Sequence, residues 1–218
     1  MEVARKLDIE KVVFCSSASV YGYPQFQPVT EEHPLRPLNL YGVTKVSGEQ
    51  ILDTYYENYG IDTVSLRFGN IYGVGLYTHW DTVIPIFINQ AFNNKPITVF
   101  GDGEYTRDFV HVLDIVQAIT LSLTTRDIGG EVFNVGGETK TVNQVAKTVE
   151  QEYTEATGKP VKITNKPPRK GETKEFSYDL TQIKTRLGFQ NRWTVKQGIK
   201  QIIKYKQNKS TKNRSQNK

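Results

Sequence analysis

The sequence predicts an α/β chain in which helices pack on a parallel sheet. Apolar runs of strand length alternate with segments of helical period, and no internal repeat interrupts that alternation. At 218 residues and 37% hydrophobic, the chain is long and apolar enough to bury one domain or two small ones.

The elements follow in order. The opening MEVARKLDIEKVVF reads as the end of a helix running into a buried strand over residues 11–15. The next stretch, VVFCSSASVYG, climbs through apolar residues and breaks into hydroxyls at Ser16, Ser17 and Ser19, which a strand end gains little from unless they face something polar. Residues 23–38 carry Pro24, Pro28, Pro34 and Pro37 and must be a loop. A helix over 41–59 follows, with Asn39 placed to cap it and Gly60 to stop it. Further strands are expected at 63–68, 97–100, 109–111, 132–135 and 161–164. Further helices are expected at 82–93, 112–124, 141–157, 179–187 and 195–206.

Composition excludes several classes. A single cysteine, Cys15, lies inside an apolar run, so no internal disulfide can form and a reducing compartment is expected. No N-terminal stretch reads as a secretory signal and no apolar run is long enough to cross a bilayer, so the expectation is a cytoplasmic chain without membrane contact. The net charge of +5 resides in residues 206–218, where Lys206, Lys209, Lys212, Arg214 and Lys218 occur without an acid. The remaining body is neutral and has no basic face for a nucleic acid. Residues 205–218 are expected to be a disordered, solubilising tail. His33, His79 and His111 are scattered without metal-ligand spacing, so no metal is expected.

The chemistry centres on NLYGVTKVSGEQIL, where Tyr41 and Lys45 stand four apart and so share a helix face. A free phenol has a pKa of about 10, and a nearby ammonium or cationic ring favours its phenolate, which makes tyrosine usable as a general base. The spacing is weak by itself, since Tyr205 and Lys209 repeat it in the tail. Its context is stronger: a strand ends at Ser17, and ligands of parallel sheets gather at strand carboxyl ends.

SSASVYG, YGVTK, LRFGNIYG, GDGEYTRDFVHVLD, FNVGG and PPRKGE are weak signals singly and specific together. Over residues 1 to about 204 the chain resembles the extended short-chain dehydrogenase/reductase family, specifically its NAD-dependent nucleotide-sugar epimerases and dehydratases of the UDP-glucose 4-epimerase type. The resemblance implies the C-terminal part of a Rossmann-like doubly wound sheet interleaved with a small α/β substrate domain. Residues 1–74 and 109–136 would belong to the cofactor domain, and 75–108 and 137–204 to a nucleotide-sugar domain. It implies Tyr41 as general base, Lys45 as its tuner and a ribose ligand of NAD, and Ser17 as a proton relay to the sugar hydroxyl. Ser16, Phe68, Ile71 and Tyr72 would join Tyr41 and Lys45 around the cofactor. Ser19, Asn70, Arg107, Arg169 and Phe176 would join Ser17 around a UDP-sugar, with the two arginines clamping the diphosphate and Phe176 disfavouring N-acetylated sugars. Asp114 would cap or orient a helix. A homodimer through the helix bearing Tyr41 and the one after residue 82 is also implied.

Two departures matter. Family dehydratases and decarboxylases carry an acid one or two positions past the serine, where this chain has Ala18 and Ser19, and that favours epimerisation. No G-x-x-G-x-x-G occurs in the chain, so the NAD pyrophosphate lacks its usual anchor. The resemblance therefore implies the C-terminal portion of an epimerase, with an uncovered apolar sheet edge, weak NAD binding and little or no activity alone. A dehydratase, reductase or decarboxylase on the same scaffold, or a non-catalytic sugar-nucleotide binder, are the other readings.

Overall fold

The computed structural model describes residues 1–75, 80–168 and 174–215. The first part of the chain gives α1 (Glu2–Lys6), β1 (Lys11–Ser17), α2 (Leu40–Tyr59), β2 (Asp62–Phe68) and β3 (Asn70–Tyr72). The middle gives α3 (Val83–Phe92), β4 (Ile97–Phe100), β5 (Thr106–His111), α4 (Val112–Thr124), β6 (Val132–Val135) and β7 (Glu138–Thr141). The last part gives α5 (Val142–Thr157), β8 (Ile163–Lys166), α6 (Thr181–Leu187) and α7 (Val195–Ser215).

The strands form three small sheets, β1-β2-β6, β3-β5-β7 and β4-β8. All pairings are parallel except β5 with β7, where Phe109 opposes Glu138. That exception falls on ETKT, a polar stretch with no strand signal in its pattern. The same holds for the three-residue β3, and both elements exist because β5 offers them a ladder.

Period-two alternation sorts the first sheet. Phe14 and Ser16 of β1, with Thr63 and Arg67 of β2, face α2. Val13, Val64, Leu66 and Phe68 face the other way, into a core shared with Ile115 and Ala118 of α4 and Ile183 and Leu187 of α6. β1 pairs only with β2, so among the described residues its outer edge carries no strand. Cys15 is exposed, although it lies inside an apolar run of the sequence.

A second core gathers α3, α5 and α7 around β4, β8 and Phe109, with Ile88, Val145, Val149, Ile199 and Ile202 fully enclosed. β5 stands between the two: Phe109 points into this core and Val110 into the first. A smaller cluster of Val20, Tyr21, Val29, Phe176 and Tyr178 closes the base of the proline-rich loop. His33 pins that loop, its Nε2 accepting from the Gln25 N–H at 2.8 Å and its Nδ1 lying 2.9 Å from the Pro34 carbonyl.

Both predicted caps form: Asn39 Oδ1 accepts from the Gly42 N–H at 2.8 Å, and Gly60 ends α2 at φ 66°. The tail is a correction. α7 runs through to Ser215 across the stretch expected to be disordered from 205. Residues 205–215 contain no glycine or proline to stop a helix. The Lys206 ammonium also sits 4.8 Å from the Trp80 ring centroid and bonds Asn89 Oδ1, while Gln207 Nε2 donates to the Ala156 carbonyl at 2.9 Å. No described helix is long and apolar enough to cross a membrane.

Ile199→Ala, which empties a fully enclosed position between α7 and the second core, is expected to destabilise the fold by about 2–5 kcal/mol in urea unfolding followed by circular dichroism.

Candidate active site

The end of β1, the start of α2 and the loop between them converge. Ser17 caps the short 3-10 turn at Ala18–Val20, its Oγ accepting from the Ser19 N–H at 3.2 Å and lying 3.3 Å from Ser19 Oγ. α2 abuts that turn directly. A Cβ on Gly42 would fall 2.5 Å from the Ser19 carbonyl oxygen and 2.8 Å from Pro37 Cβ. Gly48 likewise leaves room for the Phe14 ring. Tyr41, one residue before that contact, holds its ring half in solvent at 54% exposure.

Lys45 sits one turn on. Its Nζ donates to the Cys15 carbonyl at 2.7 Å and lies 5.4 Å from the Tyr41 ring centroid. The predicted trio of Ser17, Tyr41 and Lys45 is thus gathered at one sheet edge, though no direct hydrogen bond joins Ser17 to Tyr41. Ser16 differs from its expected role. It is buried and donates to Glu49 Oε1, so it faces the protein interior rather than a cofactor.

Beside the serine turn opens a cleft of about 520 Å³ lined by Ala18, Ser19, Tyr23, Leu38, Asn70, Arg107 and Phe176, among others. Four expected substrate contacts, Ser19, Asn70, Arg107 and Phe176, therefore meet there. Asn70 Nδ2 donates to the Asp108 carbonyl at 3.1 Å, which fixes its side chain on β5. Arg107 Nη1 donates to the Thr106 carbonyl at 2.7 Å, and its guanidinium lies 5.0 Å from the Tyr105 ring centroid. Arg107 also lines a narrower cavity of about 280 Å³ walled by Phe87, Phe100 and Tyr105 with Lys166 at its edge.

Asp108, next along β5, turns inward. Its carboxyl is buried, with Oδ1 accepting from the Gly137 N–H at 2.7 Å. A Cβ on Gly136 would crowd that same oxygen at 2.6 Å. Burial pushes its pKa up to about 6, against hydrogen bonds from the Gly137 and Tyr178 backbones that lower it.

The expected cofactor-lining residues divide. Phe68 and Tyr72 are enclosed in the two cores, Tyr72 with its hydroxyl unpaired, so of the expected cofactor-lining trio only Ile71 reaches the surface. Asp114 accepts from the Arg192 and Trp193 N–H groups at 3.1 and 3.3 Å and so fastens the segment entering α7. Arg169 lies outside the described residues. Among the described residues no group of three or more His, Cys, Asp or Glu side chains is arranged to hold a metal.

Residues 1–136 match the model of the NAD dependent epimerase/dehydratase family. The chain belongs to this family. A UDP-glucose 4-epimerase of Mycolicibacterium smegmatis is 33% identical over 211 residues, covering 96% of this chain and 66% of its relative. Among solved structures, the UDP-glucose 4-epimerase of Thermotoga maritima with UDP-glucose superposes with a TM-score of 0.83 at 31% identity, over 95% of this chain and 67% of that one. The UDP-glucuronic acid 4-epimerase of Bacillus cereus, solved with UDP-glucuronic acid and NAD, gives 0.83 at 30% identity, over 94% and 63%. The chain thus spans about two thirds of the length of these family members, and it shares the α/β Rossmann-type architecture expected of it.

Gly42, Gly48, Glu49 and Arg67 carry little sequence signal of their place at this site. Their partners lie far off in sequence, and the only signal available was two glycines inside a helical pattern.

The raised carboxyl of Asp108 means the folded state holds a proton that the unfolded chain has released between pH 3.8 and about 6. That stabilisation is complete below pH 3.8 and lost as pH rises through about 6, a difference of roughly 3 kcal/mol. Asp108→Asn is expected to flatten the melting temperature between pH 4 and 7 relative to the parent chain, measured by calorimetry.

Proposed function

We propose that this chain carries the substrate-binding and proton-transfer machinery of an NAD-dependent nucleotide-sugar epimerase acting at C4 of a UDP-hexose. The observation that carries the reading is Arg107, which lines two adjoining cavities. One is a narrow aromatic slot suited to a flat base, and the other is a wider polar cleft suited to a sugar. A guanidinium between them meets the diphosphate of a ligand that spans both. The nucleotide-sugar domain then takes in 75–108 and 137–204 and the cofactor domain 1–74 and 109–136, with α6 of the former packed against the first core and Phe109 of the latter entering the second.

Tyr41 takes the proton from the sugar hydroxyl and returns it, with Ser17 relaying between them. The Lys45 charge beside the ring stabilises the negative charge that develops on the phenol oxygen. Asn70, Arg107 and Arg169 hold the nucleotide end while the keto sugar turns over, and Phe176 limits the size of the sugar. Tyr41 and Lys45 stand side by side near the end of β1 and fit the ribose end of NAD, with Ile71 as the apolar contact. NAD, when bound, supplies the acceptor and donor of hydride. Ala18 and Ser19 provide no acid for dehydration.

We also propose a cytoplasmic homodimer, supported by Leu40, Val43, Ile51 and Tyr59, which α2 leaves exposed.

Calorimetric titration with UDP-glucose tests the reading. Binding is expected, weakened at least tenfold by Arg107→Ala and changed less than twofold by Tyr41→Phe. At saturating NAD, slow conversion to UDP-galactose followed by sugar chromatography is expected to fall at least a hundredfold in Tyr41→Phe. A parent chain that binds no UDP-glucose sinks the proposal.

A further inference from the structure

Behind the serine turn lies a buried polar group that the proton-transfer chemistry does not use. Glu49 and Arg67 are 6% and 4% exposed and form a two-pronged pair: Arg67 Nη2 donates to Glu49 Oε2 at 2.7 Å and Nε to Oε1 at 3.0 Å. The remaining arm, Nη1, donates to the Tyr21 hydroxyl at 2.9 Å and the Glu31 carbonyl at 2.8 Å. The Tyr21 hydroxyl in turn donates to Asn134 Oδ1 at 2.6 Å, and Asn134 Nδ2 donates to the Val29 carbonyl at 3.0 Å. On the far side, Ser16 Oγ donates to Glu49 Oε1.

The chain positions of these groups give the cluster its meaning. Glu49 lies on the α2 face of Tyr41 and Lys45, four residues past Lys45 and eight past Tyr41. Ser16 precedes Ser17, and the carbonyl before Ser16 is the one that Lys45 grips. Tyr21 and Glu31 bracket the loop that supplies Tyr23 to the cleft and leads on to Leu38. One carboxylate and one guanidinium thus join the helix bearing the phenol, the strand bearing the serine and the loop walling the sugar cleft. Stability alone does not account for the pair, because a buried ion pair roughly repays its own desolvation and apolar replacements of both partners are often neutral.

We infer that Glu49 and Arg67 are positioning residues, which set the reach of Tyr41 and Ser17 toward the sugar held in the cleft. The inference rests on the roles of Tyr41 and Ser17 proposed above. It separates from a purely structural role because the pair can be removed as a unit. Glu49→Gln leaves Arg67 buried without its counter-charge and is expected to lower the melting temperature. The double variant Glu49→Met with Arg67→Met removes both charges and is expected to restore it, while Ser16 loses its acceptor and Tyr21 and Glu31 lose their donor.

Two readouts decide. In NMR of ring-labelled tyrosine, with Tyr41 assigned by its loss in Tyr41→Phe, the Tyr41 signal is expected to stay displaced in the double variant. At saturating NAD, kcat is expected to remain at least tenfold down with KM for UDP-glucose within twofold. Ser16→Ala, which keeps the ion pair, is expected to displace the Tyr41 signal and lower kcat threefold to tenfold. It decides the matter if the double variant does not fold. A Tyr41 signal and a kcat that recover together with the melting temperature, or a Ser16→Ala chain identical to the parent in both, would overturn the inference. With a parent chain that shows no turnover the Tyr41 signal alone decides positioning, and one that binds no UDP-glucose counts against the proposed function instead.

Discussion

α2 can lie on β1 only because two of its residues have no side chain. At Gly42 the helix meets the Ser19 carbonyl, and at Gly48 it meets the Phe14 ring, each closer than any Cβ would permit. An alanine at Gly42 would press on backbone, which cannot rotate away as a side chain can. That contact sets the separation between helix and strand, and everything at the serine turn takes its position from it. Lys45 can then reach the Cys15 carbonyl, and Ser16 can reach Glu49.

The second organising element is β5. Its successive residues serve different masters: Phe109 enters one core, Val110 the other, and Asp108 between the β6–β7 corner and the Tyr178 segment ties both to the strand. Arg107 begins that series and projects where the two cavities adjoin. The arginine proposed to meet the diphosphate is therefore mounted on the strand that the two cores grip from both sides. A mount on a core strand suits recognition of a charged group by geometry rather than by charge alone.

Much of this was legible from local patterns. Asn39 and Gly60 bracket α2 because capping chemistry is written within four residues of a helix end. The serine strand and the Tyr41–Lys45 pair were visible because a strand end and a helix turn are short-range features. What stayed hidden was long-range. Glu49 and Arg67 stand 18 positions apart and look like ordinary surface charges until α2 folds onto β2. ETKT carries no strand pattern and becomes one only because β5 is beside it. Tyr72 read as a pocket residue because it follows a motif, whereas its ring is claimed by the core around Ile199. The polar stretch after residue 205 read as unstructured because composition does not register that Trp80, Phe92 and Asn89 wait to receive Lys206.

The bare outer margin of β1 has a consequence of its own. Its residues, KVVFCSS, are β-branched, aromatic or small, and they present a row of peptide donors and acceptors with no neighbouring strand among the described residues. No proline or inward-pointing charge interrupts that row beyond Lys11, whose ammonium is drawn back to Asp62 and the Thr125 carbonyl. Such a margin is a template for any extended peptide, including the same stretch of another copy, so self-association would start at the strand that also carries Ser17.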